Sequence, residues 1–136
     1  MQSTKNTIDQ FLNFLSKRDL ENLTLLFAKN IDWNLPGNPN AAEWFGQRNT
    51  REEVKEFYQL LWKKVEPISG TINNIFIDKE DAVIAGEFTV KMLSTGKLVS
   101  SIFYIQMTIK NGLIEKYRLL EDSFAISESL IEPIKK

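Results

Sequence analysis

The chain has 136 residues, 43% of them hydrophobic and 26% charged, with 17 Lys and Arg against 18 Asp and Glu for a net charge of −1. That describes one globular domain over residues 1–136, too short for two and without the basic excess of a nucleic-acid binder. The absence of Cys and His excludes disulfides, thiolate nucleophiles, zinc knuckles and a Ser-His-Asp triad, so proton transfer falls to Asp, Glu, Tyr or Lys.

Ile8, Phe11, Leu12 and Leu15 recur at helical spacing, and Lys17-Arg18 close that helix. Asp19 then reads as an N-cap, with Leu20, Leu23 and Phe27 on the next helical face and Asn30 ending it in a left-handed turn. Residues 31–35 (IDWNL) form a short strand that Pro36-Gly37 stops. Thr50-Arg51-Glu52-Glu53 is a capping box, and the helix it opens carries Val54, Phe57, Tyr58, Leu61 and Trp62 on one face until Pro67 and Gly70.

From Thr71 the pattern becomes strands: 72–77, 82–93, 98–109 and 113–122, separated by the turns 78–81, 94–97 and Lys110-Asn111-Gly112. Ser123 caps a short last helix through Leu130, and Pro133 ends it. Helices followed by hairpins make an α+β domain with helices on one face of an antiparallel sheet. A continuous strand over 98–109 spans about 40 Å, too long to lie flat in so small a domain. The sheet is therefore expected to curve strongly, with a bulge, into a cone enclosing an apolar pocket. No 18-residue apolar run is present, so no membrane span is expected. MQSTKNTIDQF lacks the apolar core of a signal peptide, and the expected location is the cytoplasm.

The order FLNFLSKRDLENLTLLFAKN, Asp32-Trp33-Asn34-Leu35-Pro36-Gly37, Trp44-Phe45-Gly46, TREEVKEFYQLL and NGLIEKYRLLEDS resembles the NTF2-like superfamily, in its SnoaL-like and ketosteroid-isomerase-like branch. The resemblance implies a conical α+β fold, a deep pocket and frequent homodimers. It spans isomerases, cyclases, epoxide hydrolases, dehydratases and non-enzymatic binding modules. The positions where ketosteroid isomerases carry Tyr, Asp and Asp align near Phe11, Asn34 and Tyr104. Asn cannot act as a carboxylate base, so steroid-isomerase chemistry is not expected. SnoaL-like cyclases carry an acid near the end of the last strand, similar in place to Asp122.

Simple alternation along the last strand puts Ile114, Lys116, Arg118, Leu120 and Asp122 on one face, and Glu115, Tyr117, Leu119 and Glu121 on the other. If the first set faces the pocket, Asp122 is the candidate general acid/base and Arg118 the group that orients substrate or stabilises negative charge. Helix capping by Asp122 and an ion pair for Arg118 are the alternative uses. Trp33, Trp44, Tyr58 and Trp62 are candidate pocket walls, with Glu87 and Leu120 as further lining. No metal or cofactor is expected. The expected ligand is a small hydrophobic molecule, such as a carbonyl or polyketide-like compound. The alternative is a non-catalytic binding or dimerisation module. Strand 98–109 carries Ile102, Tyr104 and Gln106 opposite its core face, which suits a homodimer through the sheet.

Overall fold

The computed structural model describes residues 3–132, which form ten elements. They are α1 (Thr4–Lys17), α2 (Leu20–Leu25), β1 (Phe27–Leu35), β2 (Gly46–Thr50), α3 (Arg51–Lys64), β3 (Val65–Asp78), β4 (Asp81–Met92), β5 (Leu98–Lys110), β6 (Leu113–Glu121) and α4 (Ser123–Ser129). The six strands form one sheet in the order β2-β1-β6-β5-β4-β3. Every neighbouring pair is antiparallel except β1 and β6, which run parallel. Among the described residues no helix is long and apolar enough to cross a membrane.

Local chemistry fixes the helix ends. The Asp19 carboxylate accepts from the Asn22 N–H and starts α2, while Arg18, in the left-handed conformation, ends α1. Thr50 accepts from the Glu53 N–H, and the Glu53 carboxylate accepts in return from the Asn49 N–H. Arginines also bind main-chain carbonyls. Arg18 donates to Trp62 O and Val65 O, Arg51 to Phe27 O, and Arg48 to Trp44 O. Thr4 and Thr7 donate to the carbonyls of Lys79 and Gly112, holding α1 over two hairpin turns. The Asn111-Gly112 pair takes positive φ at both residues, as the β5–β6 turn requires.

Beneath the helices lies an aromatic core. Phe11 from α1, Phe27 and Trp33 from β1, Phe57 and Tyr58 from α3, and Tyr117 from β6 are all buried. The Trp33 and Tyr117 rings stack at 5.2 Å, and Trp33 meets Phe57 at 4.5 Å.

Four features differ from the sequence reading. Phe27 begins β1 instead of closing a helix, because α2 stops at Leu25 and the chain pairs with β6 at Ile114. The polar segment Gly46–Thr50 is a strand, held by pairing to β1. Strand β3 starts at Val65 and passes through Pro67 and Gly70. Proline is tolerated there because β3 is an edge strand whose outer side needs no donor. The last helix is capped by Asp122, not Ser123; Pro133 lies outside the described residues.

Candidate functional site

The last strand decides the site. Thr108 faces Lys116, but the next residue of β5, Ile109, faces Ile114. Glu115 is therefore an extra residue on β6, a bulge. The alternation restarts beyond it, so Tyr117 joins Ile114 on the inner face although the two differ in parity, and both are buried. Leu119 and Glu121 follow Tyr117 inward.

This corrects the face assignment from unbroken alternation. Arg118 points away from the helices. Its Nη2 pairs with the Asp32 carboxylate at 2.7 Å and its Nη1 donates to the Asp32 carbonyl at 2.9 Å. That hydrogen bond, ahead of the charge attraction, holds the Asp32 carboxyl below its ordinary range. The Asp122 side chain accepts from the Ala125 N–H at 2.9 Å and starts α4. Leu120, 53% exposed, and Glu87, also exposed, lie on the outer face. None of these four joins the aromatic cluster.

The aromatic residues do pack together. Trp33 and Tyr58 both border Phe57, and the Trp62 ring lies 5.4 Å from Tyr58 with the Arg18 guanidinium over it. Trp44 is buried in the same core from the β1–β2 connection, ring to ring with Phe45. The Arg48 guanidinium stands 5.1 Å from the Trp33 ring and 5.0 Å from Phe57, and burial lowers its pKa.

Two residues of this region escaped the sequence reading: Tyr117 and Glu121. Glu121 stands opposite Phe103 on β5, is only partly exposed, and closes no hydrogen bond or ion pair among the described residues. Desolvation pushes its carboxyl up to about 7. Its charge also raises the Tyr117 phenol, which burial has already lifted far above the usual tyrosine value. The sequence did carry a sign of the bulge. Ile114 on one parity and Tyr117 and Leu119 on the other cannot share a core face without one extra residue between them.

Away from this cluster, a groove of about 390 Å³ opens between β3, β4 and β5, lined by Ser69, Thr71, Glu87, Thr89, Ser100 and Ile102 among others. Among the described residues no group of three or more His, Cys, Asp or Glu is placed to hold a metal ion.

Comparison with known proteins places this architecture. An NTF2-like protein from Burkholderia pseudomallei K96243 superposes with a TM-score of 0.85 at 17% identity, over 96% of this chain and 98% of that one. TerC co-crystallised with polyporic acid gives 0.80 at 16% identity, over 93% and 97%. An LEH-like epoxide hydrolase of M. tuberculosis gives 0.72 at 13%, over 93% and 88%. These likenesses establish an NTF2-like fold. No curated protein matches the sequence. The model of the SnoaL-like domain matches residues 8–117, and the chain belongs to the SnoaL-like domain family.

Proposed function

We propose that the protein is a small-molecule enzyme in which Glu121 acts as general acid/base toward a hydrophobic carbonyl compound. One observation carries the reading. A carboxyl with no partner, poised at about 7 by burial, faces inward beside an aromatic cluster. A carboxyl at that value is part ionised at neutral pH, so it can both take and return a proton. Its surroundings are apolar: Phe103 lies across the strand and pairs with Phe88 at 6.0 Å, and Leu119 is next on the same face. Arg118 is engaged by Asp32 and Asp122 by α4, whereas the inward Glu121 closes no hydrogen bond or ion pair among the described residues.

The test uses 1-indanone in D2O. Glu121 removes a proton from the carbon next to the carbonyl, the electron pair forms an enolate, and a solvent-derived deuteron returns from the carboxyl to the same carbon. Exchange is expected to rise with pH up to about 7 and level off above it, since the ionised carboxylate is the base. Glu121→Gln should slow it by about 100-fold or more. Exchange that survives this substitution removes the assignment. Binding of 1-indanone without exchange would instead mark a non-catalytic binding module.

The reading includes a homodimer through the outer face of the sheet. Tyr104 and Leu120 face each other across β5 and β6, and Ile102 lies two residues from Tyr104 on the same side. The three are 48%, 53% and 58% exposed, and Phe76 on β3 adds a fourth large apolar side chain. Such a surface favours a second copy over water. Light scattering should give twice the chain mass, falling to the single mass in Tyr104→Glu/Leu120→Lys. A wild-type protein monomeric at 50 μM would refute the dimer.

A further inference from the structure

Two surface grooves meet at Ser100. The first, across β3, β4 and β5, also carries Ser69, Thr71, Glu87, Thr89 and Ile102. The second, of about 520 Å³, lies between the start of β5 and α4 and carries Leu98, Phe124 and Ala125. Strand pairing builds the first. Thr71, Glu87 and Ile102 stand opposite one another in one row, and Ser69, Thr89 and Ser100 in the next. Neighbours in a row are about 5 Å apart and the rows about 7 Å. Strand β3 has an extra residue on each side of this stretch, Ile68 and Asn73. Such bulges bend a strand and re-aim its side chains, and these two bracket Ser69 and Thr71.

The lining selects a ligand class. The Thr89 and Ser100 hydroxyls bond each other at 2.7 Å, and each can both donate and accept. Glu87 is a carboxylate with no hydrogen bond or ion pair among the described residues. It repels an anion, and no group of acids stands with it to hold a metal ion. A ligand hydroxyl donating to it makes a charge-assisted bond. Ile102 and Phe124, 58% and 72% exposed, supply apolar surface on either side of Ser100. We propose that the joined grooves bind a neutral saccharide, with one ring over Glu87 and Thr89 and the next reaching Phe124. Adjacent hydroxyls of the first ring donate to the Glu87 carboxylate and exchange hydrogen bonds with Thr71, Thr89 and Ser100. The C–H face of the second ring lies on Phe124. The grooved face of the sheet is the one opposite Glu121, so the inference stands apart from the acid/base reading.

The probe is cellobiose, with cyclohexanol as a ring that carries a single hydroxyl. On 15N-labelled protein, cellobiose should shift the amide signals of Thr71, Glu87, Thr89, Ser100 and Phe124, saturating in the millimolar range. The Trp33 indole signal should stay in place, and cyclohexanol should move none of these. Glu87→Ala should weaken cellobiose about tenfold and Phe124→Ala about fivefold. Neither should lower Tm, because both side chains are exposed. Unchanged affinity in Glu87→Ala, or shifts centred on Trp33 instead of Glu87, overturns the proposal. The same titration on Tyr104→Glu/Leu120→Lys keeps a second copy from covering Ile102. Absence of shifts at the solubility limit of cellobiose, in this variant and in the wild type, also overturns it.

Discussion

Glu121→Gln raises the melting temperature by about 5–10 °C at pH 8 and leaves it nearly unchanged at pH 4. The sign follows from the carboxyl's pKa of about 7 in the fold, against an ordinary value of 4.5. The folded state holds a proton that the unfolded chain releases earlier. Stability is therefore fully present below about pH 4.5, is lost as pH rises toward 7, and stays lower above it. The difference corresponds to about 2–3 kcal/mol after allowing for the part of the group that solvent screens. For a chain of this length, each kcal/mol moves Tm by roughly 3–4 °C. Glutamine carries no charge at any pH, so it removes the penalty only where the carboxylate would bear it. Calorimetry at the two pH values checks this, and an equal shift at both would mean that the carboxyl is not perturbed. Gained stability with lost exchange would be the signature of a group kept for chemistry at the expense of the fold.

Gly86→Ala destabilises the protein by about 2–3 kcal/mol, while Gly70→Ala on the neighbouring strand costs little. Both glycines lie in strands, but their surroundings differ. A Cβ at Gly86 would overlap the Thr71 carbonyl oxygen and come within 2.7 Å of the Phe103 ring. At Gly70 the nearest atom is the Glu87 carbonyl oxygen at 4.0 Å. Urea denaturation of the two variants measures the contrast, and equal costs would contradict it. The effect should reach the site as well. Phe103 lies between Gly86 and Glu121 in one row across β4, β5 and β6. Displacing its ring changes the apolar surroundings that hold the Glu121 carboxyl near 7, so exchange should slow and its pH profile shift toward acid.

Much of the fold was legible because local chemistry writes it. Asp19 and Thr50 announce helix starts, Asn111-Gly112 announces a hairpin, and Ile105, Met107 and Ile109 alternate to mark the core face of β5. What escaped notice depends on neighbours distant in sequence. The segment Gly46–Thr50 has no apolar alternation and becomes a strand through β1. Pro67 looks like a terminator unless its strand is known to lie at an edge. The site divides the same way. That Tyr58 and Trp62 pack inward was readable from their helical spacing, and the burial of Trp33 from its place in an apolar strand. The acid was not, because the face of Glu121 depends on a residue that pairs with nothing.

That unpaired residue also shapes how such chains can vary in length. Removing Glu115 would let Ile114 and Lys116 follow one another opposite Ile109 and Thr108, the partners they already have. Tyr117, Leu119 and Glu121 would keep their inward aim. Deleting Lys116 would have the same outcome, with Glu115 taking its place opposite Thr108, whereas a deletion from Tyr117 to Leu120 would either turn Glu121 toward solvent or close the bulge and bring Lys116 to the inner face. Position 115 is thus a gap the interior does not register. Two relatives aligned through the Asn111-Gly112 turn could place their acids one number apart and still share a single carboxyl in space.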